Sequence, residues 1–319
     1  MEGTVRHTNY RNHCLAHNHI YIQHPLIPLP DTIATHVEQL ARILPKVHDL
    51  TPDIVASAVW KLEELGLQCY EGEVTDLLRK YFFPEDPTTT GLKATAGIPM
   101  ARHLIPRFLL APHPVPQLRL DLLYGYPGDM FTEAQHLALG TLHEQVKFFP
   151  QACSNLLLPF LIIEFKAAAG TRGNLWAATN QCAGGSAACL QAAGQLNAVL
   201  AEVGCSGCLP NLCYSLAVDN NLAQLYVSWK DDMGSFYMQR VDSFLLLNPE
   251  HFVSFRQRVL AILEWGAGAR LHDVRLALDV ILGARRGAVT KTDCQVSPGS
   301  GPGPGGGGTK DPSWFDPRE

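Results

Sequence analysis

Leu156-Leu157-Leu158-Pro159-Phe160-Leu161-Ile162-Ile163-Glu164-Phe165-Lys166 is a run of nearly continuous apolar residues that ends in a Glu-x-Lys pair. A run of this length, with Gly170 soon after it, reads as a strand buried on both faces of a sheet. Side chains alternate along a strand, so Glu164 and Lys166 point to the same side, roughly 7 Å apart. A carboxylate and an ammonium at the end of a buried strand are costly unless each has a partner. The pair is therefore a candidate site.

Upstream, Leu118-Arg119-Leu120-Asp121-Leu122-Leu123-Tyr124-Gly125-Tyr126 also reads as a strand, with Asp121 in its middle. Downstream, Asn174-Leu175-Trp176-Ala177-Ala178-Thr179-Asn180-Gln181-Cys182 opens a long helix with Asn174 as its N-cap. The order is thus an aspartate, then Glu-x-Lys, then a glutamine on the following helix.

These three blocks, in this order, resemble the PD-(D/E)XK nuclease superfamily, and within it the nuclease-like domains of unknown function common in fungal proteomes. The likeness runs over about residues 70–265 and includes Ala183-Gly184-Gly185-Ser186-Ala187-Ala188-Cys189 on the helix. One position departs: the proline that precedes the aspartate in the superfamily's name is Leu120 here. The resemblance implies a restriction-endonuclease-like α/β core, with a central mixed sheet of four or five strands flanked by helices. It also implies a phosphodiesterase that leaves a 5′-phosphate.

The chemistry follows from the residue types. Mg²⁺ (or Mn²⁺) is held by one or two carboxylates with substrate phosphate and water. Asp121 and Glu164 on adjacent strands would supply the carboxylates, and the Phe165 backbone carbonyl a further oxygen. Lys166 would orient or help deprotonate the attacking water, and Gln181 would hydrogen-bond water, Lys166 or a phosphate. Glu71 and Glu73 are candidates for a further carboxylate, weighed against plain solvated helix-end glutamates. Nucleic acid is the implied partner, DNA ahead of RNA. The alternative is a catalytically inactive nuclease-like module that binds nucleic acid or protein.

Blander readings accompany each residue. Glu-x-Lys alone occurs by chance and would be a strand-end ion pair. Asp121 could pair with Arg119, Gln181 could be a surface amide, and Trp176 and Cys182 read as core. Cys205-Ser206-Gly207-Cys208 has C-x-x-C spacing without a second such pair, so buried or loop thiols are expected there rather than zinc.

The chain of 319 residues, 46% hydrophobic and 17% charged, can bury a sizeable core. A formal charge of −5 argues against a generally basic nucleic-acid coat, and leaves room for a cleft ringed by Arg102, Arg107, Lys147 and Arg172. A polar N-terminus, no bilayer-length apolar run and nine cysteines predict an intracellular protein, nuclear or cytoplasmic, with free thiols.

Residues 1–30 lack periodicity and read as a flexible N-terminus. Helices are expected near 33–44, 53–67 and 73–82, as an N-terminal helical extension to a nuclease-like domain spanning 31–286. Further helices are expected near 131–140, 174–203, 250–265 and 270–284. Strands are expected at 118–126, 156–166, 213–218, 222–230 and 235–241. From 287 to 319 the composition turns to Gly, Pro, Ser and Thr, which predicts a disordered tail.

Overall fold

In a computed structural model of the chain, the residues described are 5–47, 49–68, 71–83, 91–146, 151–153, 156–168, 174–205 and 209–293. Among the described residues eight strands make one mixed sheet: β1 (Ile20–Gln23), β2 (Lys93–Thr95), β3 (Leu122–Tyr126), β4 (Gln151–Cys153), β5 (Leu156–Phe165), β6 (Leu212–Val218), β7 (Leu222–Lys230) and β8 (Phe236–Leu245). Seven of them run in the order β1-β8-β7-β6-β5-β3-β2, and β4 pairs with β5 off that path. The sheet is larger than the four or five strands expected. The additional strands are three or four residues long, too short to carry a period of their own.

β5 and β6 are parallel, so the connection between them must cross over the sheet. α5 (Leu175–Glu202) makes that crossing. Its N-cap is Asn174, whose Oδ1 accepts from the Ala177 amide at 3.3 Å, as the sequence predicts. Gly184 and Gly185 let the helix come close: a Cβ on Gly185 would lie 3.0 Å from Ile162 Cδ1, and one on Gly184 2.9 Å from Leu118 Cδ1. Small residues that weaken the isolated helix are what seat it on the sheet.

The opposite face is covered by α6 (Pro249–Trp265), against which α1 (Asp31–Arg42), α2 (Pro52–Gln68) and α3 (Glu71–Phe82) pack. Side chains alternate as the pleat requires: Ser215 reaches Cys182 on α5, while neighbouring Tyr214 stacks edge-on against Trp265 of α6. α4 (Glu133–Val146) links β3 to β4, and α7 (Leu271–Asp293) follows α6. Residues from Gly283 belong to a separate small unit. Helix thus extends past residue 287, where the tail was expected to begin, and 294–319 lie outside the described residues.

The N-terminal stretch expected to be flexible supplies structure instead. β1 pairs in parallel with β8, Ile20 opposite Phe236 and Gln23 opposite Gln239. Ahead of it, Arg11 lies 3.5 Å over the Trp176 ring and donates from Nε to Asn180 Oδ1 at 2.7 Å. Its His- and Asn-rich composition hid this role, because the anchoring contacts are long-range.

Where α6 ends, a π-helical turn (Gly266–Arg270) brings Arg270 fully into the core. Its Nη1 donates to Tyr126 Oη at 2.9 Å and to the Leu158 carbonyl at 3.1 Å. The guanidinium also faces the Tyr126 and Phe160 rings, at 5.3 and 5.1 Å from their centroids. Leu158 has φ of 44°, in the left-handed region, just before Pro159, and the Arg270 hydrogen bond pins that irregular point of β5.

Candidate active site

Asp121 sits one residue before β3, at the end of β5, held by two crossed hydrogen bonds. The Phe165 amide donates to Asp121 Oδ2 at 2.8 Å, and the Asp121 amide donates to Glu164 Oε1 at 3.3 Å. The strand expected over 118–126 begins only at Leu122, because Asp121 spends its ladder position on these side-chain bonds. Lys166, just beyond β5, continues the ladder by donating its amide to the Val218 carbonyl at 2.8 Å. The chain is fixed again at Ala168, whose amide donates to Asn220 Oδ1 at 3.0 Å.

The Lys166 ammonium lies at the focus of four oxygens. It donates to the Phe165 carbonyl at 2.7 Å, and stands 3.4 Å from Asp121 Oδ2 and 3.5 Å from Glu164 Oε2. Glu71, the first residue of α3, adds Oε1 at 3.8 Å. Glu164 is fully buried and Lys166 nearly so, whereas Asp121 keeps 34% of its side chain exposed and opens the cluster to solvent.

Burial, then the Asp121 charge, push the Glu164 carboxyl well above its ordinary range, against the pull of Lys166. For Lys166 burial lowers the pKa, but Glu164, Asp121 and Glu71 together outweigh it and hold the amine above its usual value. The resting site therefore has a charged lysine within a cage of carboxylates.

The expected set is thus brought together in part. Asp121, Glu164, Lys166 and the Phe165 carbonyl converge. Glu71 joins them, and Glu73 is solvent-exposed. The helical register distinguishes the two glutamates, but nothing in the sequence said which face of α3 meets the site. Arg119 forms no ion pair with Asp121 among the described residues. Gln181 is half-buried on α5, next to Cys182, and its side chain has no hydrogen-bond partner among the described residues. Cys182 is buried in the core as expected, with its thiol pushed well up by burial and then by the Glu164 charge. Trp176 departs from the core reading: it is 38% exposed, capped by Arg11.

Among the described residues, no group of three or more His, Cys, Asp or Glu side chains is arranged to hold a metal ion. Five cysteines (14, 153, 182, 189 and 213) are free and buried. Cys205 is disulfide-bonded, contrary to the expectation of free thiols throughout, and Cys208 lies outside the described residues. Of the expected basic ring, Arg102 and Arg107 line one hollow, and Lys147 and Arg172 lie outside the described residues. No helix among the described residues is long and apolar enough to cross a membrane.

The fold and site define a mixed α/β domain with a buried carboxylate–lysine cluster at the ends of two central strands. The family model described as Domain of unknown function (DUF7924) matches residues 47–278, and the chain belongs to that family. No curated protein and no solved structure matches it.

Proposed function

We propose that this protein is a metal-dependent nuclease of the PD-(D/E)XK type, with a restriction-endonuclease-like core. The observation that carries the reading is the ring of hard oxygens around Lys166 Nζ, made by Asp121, Glu164, Glu71 and the Phe165 carbonyl. These are the donors that Mg²⁺ or Mn²⁺ prefers, and Glu71 Oε2 is buried there with no hydrogen-bond partner. Mg²⁺ binds through one or two carboxylates plus substrate phosphate, so a closed protein cage is not required.

Asp121, Glu164 and the Phe165 carbonyl would hold the ion, with Glu71 beside them. Such an ion polarises a scissile phosphate and lowers the pKa of the attacking water. Asp121, the exposed member, faces incoming substrate. The carboxylate neighbours of Lys166 raise its pKa against the lowering effect of burial. With those carboxylates shared with a cation, burial would favour the neutral amine, and Lys166 could then serve as base or orienting group for water. Gln181 stays available from α5 for a phosphate or water.

One observation favours a second reading, a non-catalytic nucleic-acid- or protein-binding module. The Lys166 ammonium already stands in ion-pair contact with Asp121 and Glu164. Cleavage of labelled DNA and RNA with Mg²⁺ or Mn²⁺, beside Lys166→Ala and an EDTA control, decides between them. Metal-dependent cleavage of DNA lost in the variant is expected. Absence of cleavage by folded wild-type protein on every polymer would refute the enzyme.

A further inference from the structure

We propose that a groove between the 102–117 segment and the end of β7 is the binding track for a single-stranded polynucleotide. The proposal rests on the nuclease reading and names its substrate class. Two neighbouring hollows of about 340 and 230 Å³ share Pro106 and Arg107 in their walls, and we take them as one groove. Arg102 lines the first hollow, Lys230 the second and Arg107 both, and no carboxylate lines either. In a chain of net charge −5 that is a marked segregation of charge.

The cations are set for phosphate. Arg102 Nε donates to Gln117 Oε1 at 3.1 Å, and Gln117 Nε2 in turn donates to the Met100 carbonyl at 2.9 Å. That fixes the guanidinium and leaves both of its Nη groups without a partner among the described residues. Arg107 is exposed and likewise unpaired there. Arginine in such a setting grips a phosphate with two donors.

The rings select the single strand. Phe108 is 44% exposed and packs on His19, with centroids 4.6 Å apart. Phe236 at the floor of the second hollow is buried and holds Lys230, whose Nζ lies 5.1 Å from its ring centroid, so Phe108 is the ring open to a base. A cationic groove that tracks a backbone beside aromatic faces is the pattern of sequence-tolerant single-strand binding. Duplex bases are stacked on one another and offer no face to Phe108. An acidic peptide would use the cations and leave the ring idle.

One end of the groove lies toward the active site. From Gln117 the chain runs to Asp121 in extended form, bonded at Leu118 and Leu120 to the Met100 and Gly97 amides. Four extended residues put the Gln117 end of the groove about 13 Å from Asp121, while Lys230 and Phe236 line its other end, at the opposite end of the strands from Lys166.

Anisotropy titration of fluorescein-labelled oligothymidylate in EDTA, over a series of salt concentrations, tests the track with two variants. These are the double variant Arg102→Ala/Arg107→Ala and, separately, Phe108→Ala. The exposed positions should leave the melting temperature unchanged. The double variant is expected to bind at least about tenfold more weakly, with the salt slope reduced by about 1.4. Phe108→Ala should weaken binding about tenfold at unchanged salt slope. Unaltered affinity and slope, tighter binding of the matching duplex, or equal competition by polyglutamate would overturn the track.

Hydrolysis of bis(p-nitrophenyl) phosphate with Mn²⁺ separates the two readings, because so small an ester reaches the site without the groove. If wild type cleaves it and the oligonucleotide, the double variant should keep the small-ester rate and raise the oligonucleotide KM. An unchanged KM refutes the track and spares the nuclease. No hydrolysis of either substrate, with groove-dependent binding intact, refutes the nuclease and spares the track.

Discussion

Asp121 and Glu164 are each anchored by the backbone of the other's segment: Asp121 accepts from the amide that follows Glu164, and Glu164 accepts from the amide of Asp121. Neither carboxylate can turn away without breaking a bond that also fixes its partner. The like charges are thereby held together near Lys166, and the cost falls on Glu164, the fully buried member.

Glu164→Gln tests that cost through pH. The folded-state pKa of Glu164 is raised above 4.5, so the stability its neutral form contributes is complete below the unfolded pKa and is lost as pH rises through the folded value. The neutral amide does not titrate. The variant should match wild type near pH 4 and melt higher at pH 8, by ~2–4 °C for each kcal/mol relieved. Melting curves across that range check it. A variant that loses ground to wild type as pH rises would show the sign to be wrong.

Glu71→Gln should lower metal-dependent cleavage by about tenfold if its carboxylate belongs to the ion's surroundings. Glu73→Gln, two residues on and exposed, should leave the rate unchanged. Initial rates over a Mg²⁺ titration give both the loss and any shift in metal requirement. Equal effects from the two substitutions would return Glu71 to the plain helix-end role.

Gly266→Ala should be among the most damaging small substitutions in the chain. The added Cβ would collide with the Phe160 ring, which is itself packed against Tyr126 and Trp265. Overpacking of this kind costs about 1–3 kcal/mol or more. Gly268→Ala, whose Cβ would meet nothing within 4 Å, is the control. Urea unfolding of both variants should show a large loss for the first and none for the second.

A chain restricted to residues 47–278, the span matched by the family model, should be poorly soluble or self-associating. That cut removes β1 and with it the strand covering the β8 edge. It also removes α1, whose Leu40 carbonyl accepts from Arg258 of α6 at 3.2 Å. Bare strand edges pair with other chains. Size-exclusion chromatography beside the chain from residue 5 reads this directly, and a monodisperse monomer would count against it.

The central strands and α5 were legible in sequence because apolar runs and an N-cap are local signals. Leu222–Lys230 is bounded as expected, and Asn174 caps the helix it was assigned to. Asp121, Glu164 and Lys166 were legible by residue type and order. The rest depends on partners distant in sequence. β1 is a strand because β8 lies beside it, and Glu71 joins the cluster because α3 starts beside Lys166. Arg270 illustrates the limit: an arginine ahead of a helix reads as surface charge. The Tyr126 hydroxyl, the Leu158 carbonyl and the surrounding rings make it a core residue.

The parallel pairing of β1 with β8 also sets a timetable for synthesis. Ile20 leaves the ribosome more than two hundred residues before Phe236, its partner in the sheet. At about 5–20 residues per second that interval is on the order of ten to forty seconds. For all of it the hydrogen-bonding edge of β1 has no place to go. A nascent chain of this protein therefore carries an unpaired strand segment until β8 emerges.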